Sequence, residues 1–353
     1  MKHLVTLLII LGIGVTLPGG CGVKPPVNAT PVAMAQRVNL LVAVEGKVQL
    51  KREGWRDYVP TDFGTLVRPT DLLNVDGKVS VLCADLSIKS LNAQGRCPCP
   101  INQGWLEYHG LRFDSGQRAM PQDVPYILHP RNTFVLNAHP LLRWHSTGVS
   151  SYTVSIVSFA KEVWSQSDVV GDRLRYPDDA PALLPGVDYL LVVRANATGR
   201  ASTEEKAVDL GFQLSGDAER LTVEQQRNAI LGLSSLDEPA RTMALAMYYL
   251  SVKSEGGRGL WGEAWLLLEP VAQTRTAPAV HLRMGEVLAA MKLPDEAETA
   301  YRAALQSAES LGDKESQAAA HAGLWRVTGN AADRSEAIKL YEELGDENAK
   351  TLQ

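Results

Sequence analysis

Apolar positions change their period once along this chain. Up to about residue 215 they alternate with polar residues in short runs, the two-residue period of half-buried strands. From Leu221 they recur every three or four residues, the period of amphipathic helices. The pattern predicts a multidomain protein, β then α: two antiparallel β modules followed by a C-terminal α-helical array.

The first β region spans 38–120. Leu40 to Val44 is apolar, Gly46 breaks the run, and Lys47-Val48-Gln49-Leu50-Lys51 alternates. Leu72 to Val75 and Val79 to Cys83 flank Asp76-Gly77. An Asp-Gly between alternating apolar runs predicts a tight hairpin turn at that dipeptide. Short antiparallel strands of this kind build a small sandwich or roll. The second β region spans 126–215. Its strands are expected to open at Pro130-Arg131-Asn132-Thr133, and to run over Pro140 to Trp144, over Tyr152 to Val157, after Trp164, and over Leu190 to Ala195.

The helical part begins with Thr222, followed three residues later by Gln225, the spacing of a capping box. A helix over 221–236, with Ile230, Leu233 and Leu236 on one face, is expected to pack the second β region against the array and cap it. The array itself occupies 239–345. One motif recurs in it: Glu263-Ala264 with Leu268 and Val271, Glu296-Ala297 with Tyr301 and Ala304, Glu336-Ala337 with Tyr341 and Leu344. Each is a small residue, a large one four positions on, and an apolar one three further. The alanine admits a partner helix closely, and the large residue fills the space between neighbouring pairs. The alanines are 33 and 40 residues apart. The clearest unit, 279–309, has Val280, Met284, Val287 and Met291 on its first helix and Pro294 where the second begins.

These registered copies resemble the tetratricopeptide repeat family, whose period is about 34 residues. The first copy departs from it, with a polar, glycine-rich stretch from Ser251 to Gly262 and, at the second-helix position where the other two copies have a tyrosine, no aromatic. The resemblance implies an open stack of helical pairs whose first helices line a concave face able to hold a protein partner. Tyr248, Leu282, Arg283 and Glu286 are the protein-binding candidates on that face. In the first β region, the order Val44-Glu45-Gly46, Val48, Gly64-Thr65-Leu66, Asp71-Leu72-Leu73, Gly77, Val79, Val81 and Asp85 resembles FecR-type domains, which implies a β module outside the cytoplasm. In the second, Trp144 with Tyr152, and Leu184-Pro185-Gly186 leading to Tyr189, resemble fibronectin type III and immunoglobulin-like sandwiches. That implies a tryptophan in the inter-sheet core and a tyrosine hydroxyl tied to a turn backbone.

The N-terminus starts Met1-Lys2-His3 and continues with an uncharged run from Leu4 to Leu17, too short for an ordinary membrane span of about 20 residues and suited to a secretory signal over 1–20. Leu17-Pro18-Gly19-Gly20-Cys21 resembles the lipobox of bacterial lipoproteins, which implies lipidation of Cys21. Its leucine lies four residues before the cysteine rather than three. Ordinary cleavage with an unlipidated Cys21, or cleavage after Ala33-Met34-Ala35, are the alternatives. Pro25, Pro26 and Pro31 make 21–37 a stiff tether. A secretory leader makes disulfides plausible: Cys83 can close onto Cys97 or Cys99.

The chain has 353 residues and a net charge of −5, with no basic stripe to grip nucleic acid. His129, His139 and His145 lack paired metal-ligand spacing. Asp178-Asp179 lies between prolines and reads as a solvated loop. No nucleophile elbow, phosphate loop or zinc-protease motif occurs. The expectation is therefore a non-catalytic, cofactor-free scaffold or adaptor on the periplasmic side of the envelope. It would be membrane-held through a lipid, binding envelope proteins through its repeats, with self-association through the last repeat left open. The second reading is a sensory protein whose FecR-like domain binds a signal. The third is a hydrolase built on the sandwich loops.

Overall fold

The computed structural model describes residues 38–100, 120–205, 210–253 and 257–353. The leader, Cys21 and the tether lie outside the described residues. An antiparallel β part is followed by a run of helices, in the expected order.

Strands β1 (Asn39–Lys51) and β4 (Leu72–Leu82) are the spine of the first module and pair with each other along their whole length. Short strands β2 (Val59–Thr61) and β3 (Leu66–Val67) add to β1, and β5 (Ile88–Leu91) and β6 (Gly95–Arg96) add to β4. This corrects the hairpin expected at Asp76-Gly77. Those residues sit mid-strand, and Gly77 faces Gly46 across the ladder. Both glycines have positive φ, at 92° and 120°. A Cβ on either would lie 2.1 Å from a carbonyl oxygen of the other strand. Two facing glycines let the strands hold this backbone conformation without breaking their pairing. Leu41, Val48, Leu50, Leu73, Val79 and Val81 then share one core, while Leu40, Val42 and Leu82 face the helices.

The second module is a sandwich. One sheet has β11 (Lys161–Val169), β10 (Tyr152–Ser158), β13 (Asp188–Ala195), β14 (Phe212–Leu214) and β8 (Thr133–Val135) in that order; the other has β12 (Arg173–Arg175), β9 (Leu141–Trp144) and β7 (Ile127–His129). Trp144 is fully buried between them with Tyr152 edge-on at 5.5 Å. The Tyr189 hydroxyl accepts the Leu184 N–H at 2.8 Å.

Helix α1 (Asp217–Leu231) starts four residues before the expected point. The Glu219 carboxylate accepts the Gly216 N–H at 3.4 Å, so the reciprocal half of the capping signal lies there. Thr222 is inside the helix, donating to the Ala218 carbonyl at 3.0 Å. Its capping-box reading fails because a Thr-x-x-Gln pattern fits a helix interior equally well. Three helical pairs follow: α2 (Glu238–Ser251) with α3 (Trp261–Thr274), α4 (Pro278–Ala290) with α5 (Pro294–Leu311), and α6 (Lys314–Thr328) with α7 (Ala331–Leu344); a short α8 (Asn348–Leu352) ends the chain. Ala264, Leu268, Ala297, Tyr301, Ala304, Ala337 and Leu344 are all buried between helices. Gly312, Gly329 and Gly345 end α5, α6 and α7 in the left-handed conformation, the usual glycine stop.

Candidate protein-interaction surfaces

The N-terminal β module packs on the first helices of the three pairs. Gly64, at the turn before β3, meets Met243 of α2 and both Ala279 and Val280 of α4. Its positive φ of 83° and the tight space both require glycine. Beside it, the Arg275 guanidinium lies 4.9 Å from the centre of the Phe63 ring. Further along, Arg52 pairs with Glu315 of α6 at 2.6 Å, and its guanidinium stacks 5.4 Å over Trp55. The Trp55 indole N–H donates to Asp346 at 2.9 Å, just past α7, and the Arg56 N–H donates to the Leu344 carbonyl at 3.1 Å. The module's core runs on through Ala318, Ala322, Ala337, Leu340 and Leu352. Apolar surface on both sides is thus removed from water together, the main stabilising term at such a contact.

Burial at this junction shifts its acids. Desolvation pushes Asp71 up to about 6 against the pull of Arg52 and Arg68. It pushes Asp313, the N-cap of α6, up to about 7, with Glu315 adding repulsion. Glu315 is raised as well, desolvation outweighing its pairing with Arg52.

The four sequence-predicted partner residues are placed by this arrangement. Tyr248 and Leu282 are buried, at 7% and 5% exposure. Arg283 and Glu286 pair with each other at 2.6 Å, one helical turn apart on α4. Tyr248 also lines a pocket with Leu40, Leu82, Ile230 and Met247, between the β module, α1 and α2. Its volume is about 30 Å³, room for about two waters, and far below an organic ligand's needs.

The sandwich is held on a different side of the array. Arg131, fully buried, forms a bidentate pair with Glu205. It also donates to the carbonyls of Met291 at 2.7 Å and Lys292 at 2.8 Å, where α4 gives way to α5. The Asn132 amide donates to the Ala290 carbonyl at 2.9 Å, and so caps the end of the same helix. Arg143 of β9 pairs with Glu269 of α3 at 2.7 Å and lies 4.5 Å over Trp265. Sequence reasoning missed Arg131. Its signal was only a lone arginine opening a strand.

Cys83 forms a disulfide with Cys99, and the buried Cys97 keeps its thiol. Burial raises that thiol to about 11, so little thiolate is present at neutral pH. The three histidines stand apart. His129 is buried, its Nδ1 2.6 Å from the Leu141 carbonyl, and desolvation lowers it to about 4. His139 lies 3.4 Å from the exposed Asp178, and His145 stacks on Tyr126 at 4.5 Å. Among the described residues no group of three or more His, Cys, Asp or Glu is placed to hold a metal ion. Nor among them is any helix long and apolar enough to cross a membrane.

No protein-family model matches this chain, and no curated protein matches it.

Proposed function

We propose that this chain is a non-catalytic protein-binding scaffold of the cell envelope, exported by its leader and held to a membrane through a lipid on Cys21. The observation that carries the reading is the mounting of two β modules on one helical frame. Arg131 and Arg143 join the sandwich to the frame, and Gly64, Arg52 and Trp55 join the first module. Fixed relative placement of binding surfaces suits an adaptor. The resemblances of the helices to tetratricopeptide repeats, of the first module to FecR-type domains and of the sandwich to fibronectin type III fit such a role.

The burial of Tyr248 and Leu282 moves the partner surface elsewhere. Arg302, Gln306 and Glu309 on α5, with Ser335, Lys339 and Glu342 on α7, form an exposed outer face of the array. We assign partner binding to that face and to the free end of the sandwich.

Removing the helices is a poor test, because the first module shares its core with α6 and α7. The better test keeps the full chain and reverses charge at Arg302, Glu309, Lys339 and Glu342. Co-purification from a native membrane fraction is expected to recover a discrete envelope protein with the wild type and to lose it with the variant. Recovery of no discrete protein by either chain overturns the reading. Replacing Cys21 by Ser is expected to release the chain from the membrane fraction; retention there rules out the lipid anchor.

A further inference from the structure

The hairpin between β10 and β11 turns on Phe159 and Ala160 alone, at φ values of 47° and 60°. Two-residue turns with positive φ at both positions favour Asn-Gly or Asp-Gly. A bulky phenylalanine in that conformation is an outlier. Phe159 is also 86% exposed. Its backbone is strained and its ring is in water, and both lower the stability of the isolated chain. Strain of this kind persists where it serves a function.

A second apolar feature stands at the same end of the sandwich. Val157 faces Leu190 across β10 and β13, and the Ser158 hydroxyl donates to the Asp188 carbonyl at 2.8 Å. These contacts bring the turn before β13 beside the hairpin. That turn carries Leu184, 59% exposed, and the exposed Pro185. The charges around it are mixed: Lys161 and Glu162 are exposed on β11, and Asp188 pairs with Arg258.

We propose that this end of the sandwich docks into an apolar pocket of a folded protein partner, with Phe159 as the inserted side chain and Leu184 beside it. The tip is convex, so its partner must be concave. Mixed charge and a single ring fit a protein pocket better than a bilayer surface, whose binding scales with a broad apolar area and basic residues. An exposed aromatic on a rigid turn loses little conformational freedom on binding, which is why such residues dominate interface energetics.

The proposal rests on the scaffold reading for the existence of a partner and adds the place where it is gripped. The test puts a benzophenone side chain at position 159 of the full, exported chain, identifies the adduct, and titrates that purified protein against the purified chain. A single protein adduct is expected, and Phe159→Ala is expected to weaken its binding by about 30-fold or more. A double variant, Phe159→Asn with Ala160→Gly, guards against misfolding. It is expected to melt a degree or more higher than wild type, because the turn is relieved, and still to bind at least ~10-fold more weakly. Adducts only with lipid, only with a second copy, or with nothing overturn the proposal, as does Phe159→Ala binding within threefold of wild type. If the outer helical face captures a partner that ignores Phe159, the scaffold reading stands and this inference fails. If neither surface captures a protein, both fail.

Discussion

The ring of Tyr301 lies so close to Gly323 that a Cβ there would sit 2.4 Å from its Cε1. A Cβ on Gly285 would lie 2.6 Å from the same ring. The tyrosine of the middle pair is therefore a wedge between α4 and α6, and each helix gives it room with a glycine. Replacing Gly323 or Gly285 by Ala overpacks a fully buried site. Each substitution is expected to lower stability by about 1–3 kcal/mol, read as a fall in Tm. An unchanged melting temperature would show that the wedge is not under such constraint.

Gly46 and Gly77 face each other in the middle of the long β ribbon. Alanine at either position meets a carbonyl oxygen at 2.1 Å and must also hold a positive φ. Gly46→Ala or Gly77→Ala is expected to cost on the order of 3 kcal/mol or to prevent folding. Circular dichroism and denaturant titration report the outcome. A well-folded variant within ~0.5 kcal/mol of wild type contradicts the assigned register.

The raised acids at the junction of β module and helices make stability depend on pH. Asp313 has a folded value of about 7 against an ordinary 3.8. The folded chain therefore keeps a proton that the unfolded chain has lost between those values. Its favourable contribution is complete below pH ~4 and is lost as pH rises through 7. Asp71, at about 6, acts in the same direction. His129 opposes them: its value near 4 favours the folded chain above pH ~6.5 and is lost as pH falls toward 4. Asn at position 313 keeps an oxygen for the Ser316 N–H, which Asp313 accepts at 3.0 Å, and removes the buried charge. Asp313→Asn is expected to gain stability over wild type as pH rises from 4 to 8, by about 1–3 kcal/mol at pH 8. Parallel pH curves for the two proteins would contradict the assignment.

The Cys83–Cys99 bridge closes a loop of 16 residues' separation. Removing it by Cys83→Ser is expected to cost about 3 kcal/mol by restoring freedom to the unfolded chain. Denaturant titration with and without reductant checks this. Thiol counting should also find Cys97 unreactive in the native chain and reactive once unfolded. Rapid native labelling of Cys97 would contradict its burial.

Much of the helical part was legible because its determinants are local. Ala297, Tyr301 and Ala304 lie at helical spacing, and Pro294 and Gly312 mark the ends of their helix. Gly285 was visible as a small residue, but Gly323 was not, since nothing near it in sequence shows the ring it faces. The Asp76-Gly77 hairpin failed for the same reason. A glycine that enables a turn and a glycine that faces another glycine 31 residues away look identical in sequence. The buried state of Tyr248 and Leu282 was also hidden. Their helical spacing shows an apolar face, but Gly64 and Phe63, which pack on the helices that carry it, lie 184 to 219 residues upstream. Phe159 drew no attention because a lone phenylalanine in a strand pattern ordinarily reads as core.

The most direct test of this account is the accessibility of the first-helix face. Cysteine introduced as Leu282→Cys and, separately, as Arg302→Cys in the full chain would be treated with a maleimide under native conditions. The account predicts immediate labelling at 302 on the outer face and labelling at 282 only after denaturation, because Leu282 is buried. Equal and rapid labelling at both positions would contradict the account and return Tyr248, Leu282, Arg283 and Glu286 to the partner surface.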